Sequence, residues 1–142
     1  WNQELFAGMQ HHLSLAYTFG QDLENKVPLP EIAPFDIRYN LYGSYLKNKL
    51  RPEVSFRVVT QQNRISDEFG ETVTPSFFTL DASISYTFFK VFSIAAGVQN
   101  MFDEAYYEHL NRSVKGASPL PVNAPGRNFF FCSFNHLKNH RK

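Results

Sequence analysis

The stretch Tyr107-Glu108-His109-Leu110-Asn111-Arg112 sets a carboxylate, an imidazole and a guanidinium close together. Imidazole suits copper and zinc, so His109 is the candidate metal ligand and Glu108, His109 and Arg112 are the candidate substrate contacts. Neighbouring residues in an extended segment point to opposite sides, and no second histidine stands at chelating spacing. His11 and His12 lie on another segment and also face opposite ways. A hydrogen bond that steadies a loop is therefore the plainer role for His109. Serines and histidines are otherwise scattered, with no nucleophile–base–orienter set, so no catalytic residue and no enzyme activity are expected. The single cysteine, Cys132, excludes an internal disulfide and a Cys-based zinc centre. No cofactor is called for. Lys and Arg number 14 against 13 Asp and Glu, a net charge of +1, which lacks the basic surplus of a nucleic-acid partner.

The remaining charges fall at alternate positions, and that spacing points to the elements that carry them. Residues 35–45 alternate Phe35, Ile37, Tyr39, Leu41 with Asp36, Arg38, Asn40. Residues 50–60 set Leu50, Val54, Phe56, Val58 against Arg51, Glu53, Ser55, Arg57. Residues 78–88 are the cleanest, with Phe78, Leu80, Ala82, Ile84, Tyr86, Phe88 against Thr79, Asp81, Ser83, Ser85, Thr87. The same period runs through 5–19 and 92–100, whereas 127–136 is so rich in Phe that its parity is open. Period-two alternation marks half-buried strands, and no stretch has a helical period. The chain is expected to be all-β, an antiparallel up-and-down meander of about six long strands. Asp36, Arg38, Arg51, Glu53, Arg57 and Asp81 would share one face and pair there, since charges removed from water need partners.

The connections alternate too. Residues 20–34, 62–76 and 101–126 are long links, while 47–49 and 89–91 are tight turns. A meander places all long loops at one end. The segments offer roughly 9–11 residues each, the length of a tilted membrane strand, against about 5–6 for soluble strands. Aromatic residues make up 16% of the chain and gather at strand ends, as in the girdles of membrane barrels. Mean hydropathy is −0.34, and no apolar run is long enough for a membrane helix. Six strands leave open edges that lipid does not tolerate. With its opening Trp1-Asn2-Gln3-Glu4, the chain is expected to be a piece of a larger barrel. Two rival architectures remain. A complete eight-stranded outer-membrane barrel with a structural or adhesive role would hide two more strands in 20–34 or 101–126. A soluble β-sandwich or lipocalin-like binder would turn its apolar stripes into a core.

Segment five runs into Gly97-Val98-Gln99-Asn100-Met101-Phe102-Asp103-Glu104-Ala105-Tyr106-Tyr107, and Ala124-Pro125-Gly126-Arg127-Asn128 opens the last segment. This pairing resembles the C-terminal end of TonB-dependent outer-membrane receptors, where an Asn-Leu-Phe-Asp-x-x-Tyr run precedes a Pro-Gly-Arg step. Leu29-Pro30-Glu31-Ile32-Ala33-Pro34 and Thr74-Pro75-Ser76-Phe77-Phe78-Thr79-Leu80-Asp81 resemble the family's leads into two earlier strands. The likeness covers residues 13–134 in order and spacing. The x-Glu-His-Leu-x-Arg run resembles the branch associated with copper and other transition metals.

The resemblance implies a 22-stranded transmembrane β-barrel in the bacterial outer membrane, with a plugged lumen, of which this chain supplies about the last six strands. It implies import of a metal ion or metal complex: a siderophore, haem, cobalamin, copper or zinc. The implied partners are outer-membrane lipid, an N-terminal plug, the remaining strands and, only through that plug, TonB. Asn100, Phe102, Asp103, Tyr107, Pro125, Gly126 and Arg127 are the motif residues, and bland structural roles are expected of them. Asn100 and Asp103 would satisfy backbone groups at a bend, Gly126 would permit close backbone approach, and Tyr107 would pack near the outer boundary. Residues 1–137 form the barrel segment, and 138–142 are a basic polar tail that departs from the family's terminal aromatic residue.

Overall fold

Seven strands pair antiparallel in chain order: β1 (Asn2–Glu4), β2 (Met9–Ala16), β3 (Asp36–Gly43), β4 (Leu50–Val59), β5 (Phe77–Phe88), β6 (Phe92–Gln99) and β7 (Asn128–Asn135). The computed structural model describes residues 1–5, 8–89, 91–111 and 121–135. Arg112 and the 138–142 tail lie outside the described residues. Each expected segment is a strand, and the bounds of β3 to β7 match the alternating stretches closely. The first segment differs. Its alternation begins at Leu5, yet β2 starts at Met9, because Gly8 takes a left-handed φ of 75° and Leu5 N–H donates to Met9 O at 2.9 Å. Glycine reaches that conformation without a Cβ clash. The turn folds β1 back onto β2, with Gln3 opposite His11.

The register sorts side chains onto two faces. One row reads His11, Leu41, Val54, Ala82, Val98, Phe129 across six strands. The neighbouring row on the other face reads Tyr42, Glu53, Ser83, Gly97, Phe130. Register thus settles the parity of β7: Phe129 and Phe131 join the apolar face, while Phe130, Cys132 and Phe134 share the polar one. Gly97 makes room for Phe130, since a Cβ there would stand 2.6 Å from the ring and 2.7 Å from Ala82 O. Rings are therefore not confined to the apolar face and the strand ends.

A soluble sheet buries its apolar face against a second layer. Here Phe129 is 75% exposed and Ile84 49%, and among the described residues the buried apolar side chains are Val59 and Phe77. Both stand on the polar face beneath the long loops. The sandwich or lipocalin-like architecture does not hold, because its core would lie on the opposite side. Among the described residues, the two further strands of a closed eight-stranded barrel do not occur either. Residues 20–34 contribute only the isolated bridge Gln21–Pro28, and β1 and β7 each pair on one side alone among the described residues.

All three long links meet at one end. The opposite end is closed by tight turns such as Tyr45–Leu50, where Leu46, Lys47 and Asn48 adopt φ of 54°, 57° and 65°.

Candidate functional site

The polar face and the loops above it meet around Arg57 of β4. Arg38 of β3 stands directly opposite Arg57, a like-charge pairing that costs stability unless something neutralises it. Asp36, the first residue of β3, does so. Its Oδ2 accepts from Arg57 Nη2 at 2.8 Å and from Arg38 Nη2 at 3.0 Å. Glu108 descends from the 100–127 loop to the far side of the same guanidinium, accepting from Nη2 at 3.1 Å and from Nη1 as well. The guanidinium also lies 5.3 Å from the centre of the Phe77 ring, against which Tyr106 stacks at 4.2 Å. Burial, and to a lesser degree the neighbouring Glu108 carboxylate, pushes the Tyr106 phenol above its usual range.

The start of that loop is a hydrogen-bonded corner. Asn100 and Asp103 both take left-handed φ, 48° and 57°, which their short polar side chains tolerate. Asn100 is buried, accepts from Glu104 N–H at 2.9 Å and donates to Glu104 O at 2.9 Å and Pro125 O at 3.4 Å. Asp103 accepts from Arg127 N–H at 2.7 Å. A Cβ on Gly126 would come within 2.7 Å of the Asp103 carboxylate, so a glycine stands where the two loop ends touch. Phe102 packs on the apolar side, 5.7 Å from Phe78. Tyr107 lines a cavity between the loops, and the Arg127 guanidinium donates to Met101 O at 3.4 Å.

Above the corner, Glu71 ties the loops together. Its carboxylate accepts from Glu31 N–H at 2.6 Å and from Ser66 N–H at 2.7 Å. Gln62 reaches from the same loop to Ile32 O at 2.6 Å and pairs through its backbone with Thr74. The His109 side chain is 4% exposed. Its Nδ1 lies 2.8 Å from Thr74 Oγ1 and its Nε2 lies 3.8 Å from Glu71 Oε1.

Glu108 and His109 consequently diverge, one toward the sheet wall and the other into the loops, and Arg112 falls outside the described residues. His11 sits on the apolar face, 3.2 Å from the Tyr39 hydroxyl. Among the described residues no three His, Cys, Asp or Glu are grouped to hold a metal ion. Of the alternating charges, Asp36, Arg38 and Arg57 are paired. Asp81 accepts from Asn100 N–H at 2.8 Å, and Arg51 and Glu53 line the wall nearer the tight turns. Of the residues beside His109, Thr74 stood in the sequence only as the first residue of a strand lead, and Glu71 went unread because no local pattern distinguishes it. Two cavities frame the arrangement. One of 520 Å³ lies among the loops beside Glu31, Glu71, Glu108 and His109. The other, of 420 Å³, lies on the polar face beside Arg38, Asn40, Asp81, Gln99 and Asn128.

No family model matches the chain, and no curated protein matches it. Among solved structures the chain is similar to a protein described as "Copper transporter OprC", with a TM-score of 0.83 and 25% identity. The match covers 95% of this chain and 22% of that one, so the chain spans about a fifth of that protein's length.

Proposed function

We propose that the chain is the C-terminal barrel portion of a TonB-dependent outer-membrane receptor that imports a metal ion or metal complex, with copper the leading cargo. The observation that carries this reading is the two-faced sheet. Its uncovered apolar face backs a charged, loop-capped polar face, and its backbone follows a copper transporter along 95% of the chain. An apolar face of this size loses contact with water when lipid covers it, and alternate small polar residues then line the lumen. Among the described residues β1 and β7 are the edges of the sheet, and further strands of a closed barrel would pair with them.

In this reading the long loops face outside the cell and the tight turns face the periplasm. Cargo is captured by loops and plug. Movement of the plug, energised through TonB, then opens a path along the Arg38–Asn128 wall.

Uptake by cells that carry or lack the full-length gene tests the proposal, using radiolabelled copper and zinc alongside ferric siderophore, haem and cobalamin. Gene-dependent copper accumulation that disappears in a TonB-null strain is the expected result. Equal accumulation of every tracer with and without the gene would sink the import reading. So would gene-dependent uptake that persists without TonB.

A further inference from the structure

A deeply placed nitrogen in the loop knot has no hydrogen-bond partner. His109 Nε2 is sealed from solvent and unpaired, while Nδ1 of the same ring is engaged by Thr74 at 2.8 Å. Facing Nε2 across 3.8 Å is Glu71 Oε1, on a carboxylate held by the backbone N–H groups of Glu31 and Ser66. When Nδ1–H donates to the threonine hydroxyl, Nε2 carries a bare lone pair. This is the tautomer that a metal-bound imidazole takes when its other nitrogen donates a hydrogen bond. The carboxylate already has its backbone donors, so the unpaired group is the Nε2 lone pair, which faces negative charge and would be relieved by a cation placed between them.

Distance separates the two charges that could fill the gap. A charge-assisted N–H···O bond spans about 2.7–2.9 Å, well short of the 3.8 Å observed. Histidine nitrogen and carboxylate oxygen each stand about 2.0–2.2 Å from a bound zinc-like ion. At a tetrahedral angle two such donors stand about 3.4 Å apart, so an ion would draw the pair together by a few tenths of an ångström, less than the approach a charge-assisted hydrogen bond requires.

We propose that His109 Nε2 and Glu71 Oε1 form a binding point for one divalent transition-metal ion of the copper or zinc kind. Water from the adjoining 520 Å³ cavity completes its coordination. Mixed nitrogen and oxygen donors select such ions over calcium and magnesium, which favour oxygen alone. Glu31 on the cavity wall adds negative charge that concentrates cations there. With two protein ligands, the site differs from a closed four-ligand structural centre. Its role as a first contact for cargo rests on the import reading; its existence does not.

The test uses the full-length receptor, purified in detergent, stripped of metal and titrated with Zn²⁺ by calorimetry and with Cu²⁺ by electron paramagnetic resonance. His109→Asn is expected to remove one bound ion per protein and one set of imidazole nitrogen couplings. Glu71→Gln, which removes the charge and keeps one of the two backbone hydrogen bonds, should weaken that ion by about tenfold or more. Millimolar Ca²⁺ should not compete. Unchanged stoichiometry and affinity in both variants would overturn the site. Equal competition by Ca²⁺ would overturn its transition-metal character. Loop protease sensitivity that changes with pH in wild type but not in His109→Asn, with metal binding unaltered, would assign the gap to a proton and also overturn it. Because binding is read without transport, a receptor that binds but imports nothing refutes the import reading alone.

Discussion

The apolar face of the sheet and the loop-capped end of its polar face are covered by opposite means. On the apolar face, Phe56, Val58, Phe78, Ile84, Phe129 and Phe131 stay exposed, and nothing in the described chain packs over them. At the loop end, Val59 and Phe77 are buried under segments that supply Glu108, Tyr106 and His109. Covering there depends on ion pairs and hydrogen bonds that join distant parts of the chain. The contrast teaches that burial within this chain is not where its apolar residues are concentrated. Its greasy surface awaits a different medium, while its packed region organises charge.

Four measurements would break or sharpen that contrast. The largest effect is expected from placing a charge on the wrong face. Ile84→Arg should destabilise the full-length receptor in lipid by about 2–4 kcal/mol, whereas Ser83→Arg, one position away on the polar face, should cost under about 1 kcal/mol. Equal costs in urea titrations of lipid-reconstituted protein would erase the distinction between the faces.

Next comes Arg57→Met, which leaves Asp36 and Glu108 without their shared cation. A fully buried pair loses about 3–5 kcal/mol when one partner is removed; these groups are partly exposed, so roughly 2 kcal/mol is expected. Faster protease cleavage between residues 104 and 111 with intact strands would locate the loss in the loop. Cleavage at the wild-type rate would show that the ion cluster does not hold it.

A smaller change follows from Asn100→Ala. The variant gives up the paired bonds to Glu104, worth roughly 1–1.5 kcal/mol because that residue is exposed and water can substitute. Asn100→Gly would keep the left-handed backbone and separate that contribution from the hydrogen bonds. Matching stability of Asn100→Ala and wild type would discount the corner.

The smallest effect is on alkaline stability. The folded Tyr106 phenol holds its proton more tightly than an unfolded one, so its contribution is fully present below about pH 10 and lost as pH rises through the folded value. Absorbance titration should show one late-ionising tyrosine that is absent in Tyr106→Phe. Identical curves would place Tyr106 in water.

Reading strands from sequence succeeded where alternation is local. Residues 78–88 announce a strand by themselves, and β5 runs Phe77–Phe88. It failed where the local signal is flat or misleading. The Phe129-Phe130-Phe131 run has no period, and only pairing with β6 assigns its faces. Leu5 continues an alternation that Gly8 interrupts. Glu108 and His109 stood out as chemistry-bearing residues, yet which residues they meet did not. Arg57 bonds to a residue 51 positions away and Thr74 to one 35 positions away.

The sequence by itself determined the all-β class, the two faces and the alternation of long and short connections. Each of these follows from side-chain period and turn chemistry within a few residues. Only the tertiary structure decided which charges meet, where the parity of β7 falls, and that His109 turns toward Glu71 while Glu108 turns toward Arg57. Those outcomes depend on strand register and on loops folding back over the sheet. Both set distances between residues far apart in the chain, and no short-range pattern encodes such distances.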